Sequence, residues 1–231
     1  ERDGSLSHGL FRLPAYVASL KSKKVNGKAR PEVKKISPSV IKVLGNSAFA
    51  PMVLKVGLPE LIKLAKETGV AVLAITNSHH MAAMWPETEA IADAGLVGFA
   101  CTSYKPMVAP AGAKKALFGT NPICFAVPRK DSEEPYCLDM ATSMISWNKL
   151  LGLKSQKLPM EKHFAADKNG NMTTDPDEAV SLFPAGSYKG YGLASMVEIL
   201  CGVYTGMGFG REILPMYTAP INQPRKLGQF Y

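Results

Sequence analysis

The sequence predicts an α/β protein, and the prediction rests on two observations. Between residues 58 and 101, stretches with a helical apolar stripe alternate with short β-prone runs, and each run is apolar throughout, as in a strand buried on both faces of a sheet. Apolar residues make up 46% of the 231 residues and charged residues 20%, which is typical of a globular protein and excludes a disordered one.

The first clear helix is predicted to begin near Leu58, because Pro59 suits a first helical turn, and to end at Gly69. Residues 70–75 form a predicted strand, which a polar loop follows at 76–80.

A second helix at 85–94, closed by Gly95, and a second strand at 96–101 complete a strand–helix–strand unit. This order predicts a parallel crossover between the two strands. The order of the strands in the whole sheet stays open.

The later elements are less regular. Residues 123–127 and 136–138 are predicted strands joined by the polar turn 129–135. Residues 167–177 are rich in turn-forming residues, and we expect them to be exposed. Residues 191–204 are apolar nearly all round, which predicts a buried central helix.

Charge and cysteine usage limit the class of protein. The net charge is +8, but the lysines are scattered and no aromatic residues are interleaved with them, so we expect no nucleic-acid partner. A mild positive field would instead attract carboxylates and a dinucleotide. No apolar run is long enough to cross a bilayer, and no secretory leader is present. The four cysteines contain no CxxC pair and are typical of reduced core thiols in a cytoplasmic protein.

The segment at residues 7–12 contains a pair suited to reducing a C=O or C=N bond. His8 can supply a proton near neutral pH, and Arg12 offers the planar cation that binds a carboxylate in two places. The two share a face if the segment is helical, although Pro14 could begin the next helix instead. A surface turn with a structural arginine is the alternative.

Three more segments have polar residues next to predicted strands. His79 and His80 follow the strand at 70–75, where α/β proteins collect ligands, although one of the two could pack against Trp85. The turn at 119–122 could bind a phosphate or an amide. Asp139 could orient a histidine, or it could cap a helix.

Two other patterns carry no site. Gly206 to Gly210 is glycine-rich but lacks the GxGxxG spacing of a Rossmann fingerprint. The calcium-loop spacing that begins at Asp167 has Met172 where that loop requires glycine. We therefore predict no metal site.

Five segments in order resemble the malate/L-lactate dehydrogenase family, whose fold is not the Rossmann fold. They are SHGxxRxxxY at 7–16, SHHxAxxW at 78–85, LFGTNPIxFAxP at 117–128, LDxATS at 138–143 and YKGYGLAxxVE at 188–198. The resemblance covers nearly the whole chain, and five ordered matches are far more specific than any single one.

The resemblance implies a mixed sheet flanked by helices, with a cofactor-binding lobe, in a homodimer. We expect the first part of a substrate and dimerisation lobe at residues 1–60, the cofactor-binding lobe at 61–150 and the remainder of the first lobe at 151–231. The resemblance also implies a helical lead-in before the SHG motif and a closing segment after Tyr231, which this sequence does not include.

The same resemblance assigns roles to residues. It makes His8 the proton donor or acceptor, supported by Ser7 and Asp139, while Arg12 binds the substrate carboxylate and Thr120 lies near the substrate. NAD or NADP is the implied cofactor, with the choice between them open. The residues implied to line it are His80, Met81, Ala82, Ala83, Met84, Leu138, Asp139, Met140, Lys189 and Gly190.

We therefore predict an oxidoreductase that transfers a hydride between nicotinamide and a small 2-oxo or 2-hydroxy acid. The alternative is a reductase of piperideine- or pyrroline-2-carboxylate, which the Ser78-His79-His80 segment with Trp85 favours. Two other classes are considered. A hydrolase using Ser7, His8 and Asp139 is disfavoured because no GxSxG elbow exists. A shortened relative that binds nucleotide without turnover is the non-enzymatic possibility.

Overall fold

The computed structural model describes residues 8–130, 134–215 and 223–231. A 3-10 turn (Leu10–Arg12) begins the described chain, a π-helical turn (Ile199–Tyr204) continues the last helix, and a second 3-10 turn (Gly210–Glu212) follows it. The other elements, in chain order, are α1 (Leu13–Lys21), β1 (Glu32–Ser37), β2 (Val40–Leu44), α2 (Ala50–Thr68), β3 (Val72–Ser78), α3 (Trp85–Asp93), β4 (Gly98–Thr102), β5 (Ile123–Val127), β6 (Tyr136–Met140), α4 (Trp147–Gln156), β7 (Ala165–Ala166), β8 (Met172–Thr173), β9 (Ser181–Leu182), α5 (Tyr188–Glu198) and β10 (Leu227–Phe230).

The main sheet has seven strands in the order β1-β2-β3-β10-β4-β5-β6. Only β2 and β3 pair in parallel, through the crossover helix α2, and every other neighbouring pair is antiparallel. The predicted α/β class with a mixed sheet flanked by helices is therefore confirmed. The predicted hairpin of β5 and β6 is also present, with Ile123 opposite Met140 and Val127 opposite Tyr136.

The two strands on either side of α3 run parallel in one sheet, as predicted, but they are not neighbours. β10, from the end of the chain, lies between β3 and β4 and runs antiparallel to both. Local sequence patterns contain no signal for a strand that arrives from about 130 residues further along the chain.

The helix predicted to begin at Leu58 begins at Ala50 instead. Pro51 occupies its first turn, so Pro59 lies inside the helix, on its exposed side. The carbonyl that loses its N–H partner to Pro59 can face water there, which reduces the cost of an interior proline. Gly69, with φ +81°, ends the helix as predicted and donates its N–H to the Ala65 carbonyl at 2.9 Å.

Two apolar clusters position the site. The larger lies between the sheet and the helices α2 and α3, and includes Val43, Leu54, Leu73 and Ile75. A second cluster joins the loop after β4 to α4 and the three-stranded sheet β8-β7-β9. The lobe boundaries predicted near residues 60 and 150 fall inside α2 and α4, so the chain cannot cross from one lobe to another at these residues. The division into lobes itself stays a prediction.

The composition of segment 191–204 predicts a helix buried on all sides, but in the structure one side of this helix is exposed. Val197 and Cys201 are buried against the sheet, whereas Ile199, Val203 and Tyr204 are 57%, 61% and 54% exposed. The helix lies on one face of the sheet, which covers only one of its sides, and an apolar pattern does not distinguish this position from a central one. Within the described residues, no helix is both long and apolar enough to cross a membrane.

Candidate active site

A cleft of about 150 Å³ opens where the chain's N-terminal segment meets the loops that follow β3 and β4. The predicted residues that line it are His8, Arg12, His80, Met81, Ala82 and Thr120. Tyr104, Lys105, Ser146, Trp147 and Asn148 also line it. Of the described residues around this cleft, none is Asp or Glu, so its walls are neutral or positively charged.

The structure brings His8 and Arg12 to the same cleft. The 3-10 turn separates them, and Pro14 lies in the first turn of α1, as one alternative anticipated. Arg12 is only 6% exposed. Burial lowers the pKa of His8, and the nearby Arg12 charge lowers it further, so His8 is mainly neutral in the free protein near pH 7. Ser7 lies outside the described residues.

His80 lies at the centre of an aromatic cluster. Its Nδ1 is 3.1 Å from the Tyr16 hydroxyl, and its ring meets Tyr104 edge-on at 6.1 Å between centroids. Burial, followed by the charges of Arg225 and Arg12, places its pKa well below the ordinary value. A neutral imidazole is therefore the form in the cleft, and it can accept or donate a hydrogen bond without bringing a charge.

His79 points away from this cleft. It is 1% exposed and packs edge-on against Phe49, the residue before α2, at 5.6 Å between ring centroids. Burial, with Arg225 and Lys24 nearby, lowers its pKa to about 3. One histidine of the pair is thus a packed side chain, as one alternative allowed, but its aromatic neighbour is Phe49 rather than Trp85.

Asp139 anchors the start of α3. Its Oδ2 accepts the N–H groups of Met84 at 2.8 Å and Trp85 at 3.0 Å, and neither bond comes from a histidine. Burial raises the pKa of Asp139, and these two N–H donors oppose the rise. Asp139 therefore positions the segment from Met81 to Met84, which agrees with the capping alternative. Among the described residues, no contact joins Asp139 to His8, so its predicted support of His8 stays a prediction.

Within that segment the side chains divide. Met81 and Met84 are buried in the larger core cluster, at 6% and 1% exposure. Ala82 lines the cleft, and Ala83 is half-buried. Of the predicted cofactor residues on β6, Leu138 and Met140 are 37% and 36% exposed and lie outside the cleft walls.

Lys189 and Gly190 also lie outside the cleft walls. Lys189 is exposed. Gly190 is buried in a close backbone contact, because a Cβ there would lie 2.4 Å from the Ala185 carbonyl oxygen and 2.6 Å from that of Thr142. A glycine is therefore required at this position by packing, whatever its relation to a cofactor.

Thr120 lines the cleft from a turn that Thr142 supports. The N–H and the hydroxyl of Thr142 donate to the Thr120 carbonyl at 2.9 and 3.0 Å, and the hydroxyl also contacts the Asn121 carbonyl at 3.1 Å. Three of the recognised segments (at 117–128, 138–143 and 188–198) thus contact one another behind the cleft through Thr120, Thr142, Ala185 and Gly190.

Sequence reasoning did not find Lys105, Trp147 or Arg225. The Arg225 guanidinium lies 4.6 Å from the centre of the Tyr104 ring, which forms one wall of the cleft. These contacts join residues far apart in the chain and follow no local motif, so no signal in the sequence pointed to them. Within the described residues, no group of three or more His, Cys, Asp and Glu side chains is arranged to bind a metal ion.

The chain belongs to the malate/L-lactate dehydrogenase family, whose sequence profile matches residues 1–231. It is 41% identical over 217 residues to a Delta(1)-pyrroline-2-carboxylate/Delta(1)-piperideine-2-carboxylate reductase of Pseudomonas putida, covering 92% of this chain and 63% of that protein. It is 40% identical over 212 residues to the (2R)-3-sulfolactate dehydrogenase (NADP(+)) of Chromohalobacter salexigens, covering 91% of this chain and 63% of that protein.

Among solved structures, the delta1-piperideine-2-carboxylate reductase of Pseudomonas syringae pv. tomato has the same fold. The match has a TM-score of 0.92 and 37% identity over 99% of this chain and 70% of that one. The chain spans about 63% of the length of the curated relatives it matches.

Proposed function

We propose that this chain forms the substrate-binding part of a nicotinamide-dependent reductase that acts on a C=N or C=O bond next to a carboxylate. The observation that carries the proposal is that His8 and Arg12 line one cleft. A proton donor and a carboxylate ligand are the two groups that such a reduction needs from the protein.

Arg12 would bind the substrate carboxylate. Its guanidinium is nearly buried, and a charge-assisted bond is stronger where water is excluded. None of the described residues of the cleft walls is Asp or Glu, so these walls carry only neutral or positive side chains. Two parallel N–H···O bonds would also orient the carboxylate and, with it, the adjacent carbon that is reduced.

His8 would supply the proton. Because Arg12 contributes to the lowered pKa of His8, a carboxylate bound to Arg12 offsets part of that charge and raises the pKa again. Binding of the substrate therefore favours the protonated form of His8, which the reduction requires. His8 is thus protonated to a greater extent when the substrate carboxylate is bound to Arg12.

The residues around the cleft fit an NAD or NADP cofactor. None of the described wall residues carries a carboxylate, and small Ala82 leaves space beside His80; both features suit an anionic dinucleotide. When bound, the cofactor supplies the hydride. We propose that His80 and Ala82 contact it and that Asp139, through the N–H groups of Met84 and Trp85, keeps this segment in place.

Within this reaction class, we propose cyclic 2-imino acids as the preferred substrates. Relatives named pyrroline- or piperideine-2-carboxylate reductases, at 41%, 41% and 38% identity, support this choice. We also propose a homodimer, for which the exposed apolar side chains Ile199, Val203 and Tyr204 offer a surface. The four free thiols agree with a cytoplasmic location.

A second substrate class is favoured by Lys105. This half-buried side chain lines the cleft and has no hydrogen bond or ion pair with the described residues. With Arg12, it would give the cleft two cations, which suits a 2-oxo or 2-hydroxy acid with a second anionic group, such as the sulfolactate named for one relative.

Steady-state kinetics of the full-length protein and of Lys105→Met separate the two classes. Cyclic imino acids predict turnover of pyrroline-2-carboxylate that the substitution leaves within about twofold, because the substrate has one carboxylate. A diacid substrate predicts turnover of oxaloacetate or 3-sulfopyruvate that falls about tenfold or more. Lys115→Met, at an exposed lysine outside the cleft walls, is the control. No turnover of either class by the wild type would contradict the proposed function.

A further inference from the structure

A buried carboxylate lies behind the Thr120 turn. Glu198, the last residue of α5, is 4% exposed. Its Oε1 accepts the side-chain N–H of Asn121 at 2.8 Å, and its Oε2 accepts the Gly210 N–H at 2.9 Å. Burial raises the pKa of Glu198, and the N–H donors around the carboxylate oppose the rise.

Both the nitrogen and the oxygen of the Asn121 side chain form hydrogen bonds. Its Nδ2 donates to the Ala194 carbonyl at 3.1 Å as well as to Glu198, and its Oδ1 accepts the Tyr104 N–H at 3.2 Å. The residue is 0% exposed and has φ +37°, a left-handed conformation that asparagine tolerates better than most residues. The side chain of Asn121 therefore joins α5, the Thr120 turn and the loop after β4.

Thr120 lies directly before Asn121, whose side chain donates to Glu198. One buried carboxylate therefore fixes the neighbour of a residue that lines the cleft. Tyr104, the second cleft residue, is bonded through Asn121. The helix changes to π-helical geometry directly after Glu198, at Ile199, and such changes are frequent at functional sites.

The chemistry requires an acceptor with two oxygens at position 198. Two N–H donors reach it, one at each oxygen, and a glutamine has one oxygen and an NH₂ group that would face a donor. The substitution Glu198→Gln keeps the size of the side chain but breaks at least one bond and leaves an N–H opposite an N–H. The turn must move to relieve this contact, because an unpaired buried donor is costly.

We propose that Glu198 is a positioning residue for the substrate: through Asn121 it places Thr120, and with it one wall of the cleft. The activity readout of this inference rests on the proposed function. Glu198 itself lies outside the cleft walls, so it acts only through the residues it bonds to.

A double-mutant cycle with Glu198→Gln and Thr120→Ala tests this placement in the full-length holoenzyme. We expect Glu198→Gln to lower kcat/KM for the imino or oxo acid about tenfold, mainly through KM, and to leave the dissociation constant of the cofactor within about twofold. In the Thr120→Ala background, the same substitution should have little further effect, since contacting residues that act as a unit are non-additive. Equal effects of Glu198→Gln in both backgrounds would overturn the inference.

Two further variants separate positioning from general stability. Thr205→Val removes a buried hydroxyl that donates to the Cys201 carbonyl at 2.6 Å, so it perturbs the same π-helical turn without touching the Thr120 turn. It should lower Tm and leave KM unchanged. Asn121→Asp combined with Glu198→Gln restores a donor–acceptor pair between positions 121 and 198 and should reverse part of the increase in KM. A KM change in Thr205→Val as large as in Glu198→Gln would also contradict the inference.

Hydrogen exchange provides a readout that is independent of catalysis. The Tyr104 amide donates to Asn121 and the Gly210 amide to Glu198, so Glu198→Gln should speed their exchange while Thr205→Val does not. Unchanged exchange at both would overturn the inference even if the protein reduces no tested substrate. If the exchange changes as expected but the wild type is inactive on every substrate, the proposed function fails and the positioning by Glu198 stands.

Discussion

The Tyr16 hydroxyl lies 3.1 Å from Nδ1 of His80 and joins α1 to the loop that follows β3. Residues 64 positions apart thereby connect the segment that contains His8 and Arg12 to the segment proposed to contact the cofactor. The Tyr16 ring also packs against Phe49, at 5.0 Å between centroids. The two segments proposed to bind the substrate and the cofactor are therefore in direct contact, and a change in one should affect the other.

We expect Tyr16→Phe to keep the ring packing and lose the bond to His80. The lost hydrogen bond should lower the free energy of unfolding by about 1 kcal/mol, and freer motion of His80 should weaken cofactor binding several-fold. Thermal unfolding and fluorescence titration with NADH and NADPH measure both effects. Tyr136→Phe, on the 50% exposed Tyr136 of β6, is the control and should change neither. Unchanged cofactor binding in Tyr16→Phe would show that the contact does not position His80.

His8→Ala should abolish most turnover and leave cofactor binding intact. Loss of a proton donor typically lowers rates by about 10²–10⁴. Stopped-flow reduction and cofactor titration separate the two effects. His163→Ala is the matched control, because His163 is exposed and pairs at 3.2 Å with Glu161 at the surface. Turnover of His8→Ala near the wild-type rate would contradict the proton-transfer role.

Arg12→Lys should raise the substrate KM although the charge is retained. An ammonium group does not reproduce two parallel N–H···O bonds, and we expect a loss of about 10- to 100-fold in kcat/KM. Arg129→Lys is the control, since the Arg129 Nε donates to the Glu134 carbonyl at 2.9 Å on the surface. A KM unchanged by Arg12→Lys would show that the carboxylate binds elsewhere.

The pH profile should show the coupling between Arg12 and His8. The proposed reduction requires protonated His8, whose pKa in the free protein is lowered from its ordinary value by burial and by the Arg12 charge. The kcat/KM for reduction should therefore fall as the pH rises through a value below 6.5, whereas kcat should fall at a higher pH, because a bound carboxylate offsets the Arg12 charge. Coincident profiles for kcat and kcat/KM would contradict this coupling.

Asp139→Asn distinguishes an anchor of α3 from a direct partner of His8. An amide oxygen still accepts N–H groups, so an anchor predicts a modest loss of stability, about 1 kcal/mol or less, and kcat within about threefold. A partner that stabilises protonated His8 predicts a loss of kcat of several orders of magnitude. Thermal unfolding and steady-state kinetics of the one variant decide between them.

The sequence predicted much of the cleft because its key residues lie in local motifs. His8 and Arg12 are four residues apart, so their sequence spacing predicts that they act together, and the structure places both in one cleft. The contacts that complete the site are long-range: Glu198 with Asn121, Arg225 with Tyr104, and β10 between β3 and β4. Periodicity reports only which side of an element is apolar, so these contacts were not predictable from it.

Long-range packing also decides the environment of single residues that the sequence left open or predicted to be buried. Asp139 follows a β-prone run, and the sequence alone left orienting a histidine and capping a helix both open; its contacts with Met84 and Trp85 depend on how α3 packs against β5 and β6. Ile199 and Val203 belong to a nearly continuous apolar run, yet they face outward because the sheet covers one side of the helix only.

Transfer of deuterium from the cofactor tests the central proposal most directly. Full-length protein is incubated with pyrroline-2-carboxylate and NADH or NADPH carrying two deuterium atoms at carbon 4 of the nicotinamide ring, and the product amino acid is analysed by mass spectrometry and NMR. The proposal predicts one deuterium at carbon 2 of the product from one of the two cofactors, and none with His8→Ala over the same time. No deuterium at carbon 2 with this imine, pyruvate, oxaloacetate or 3-sulfopyruvate, although the cofactor binds, would contradict it.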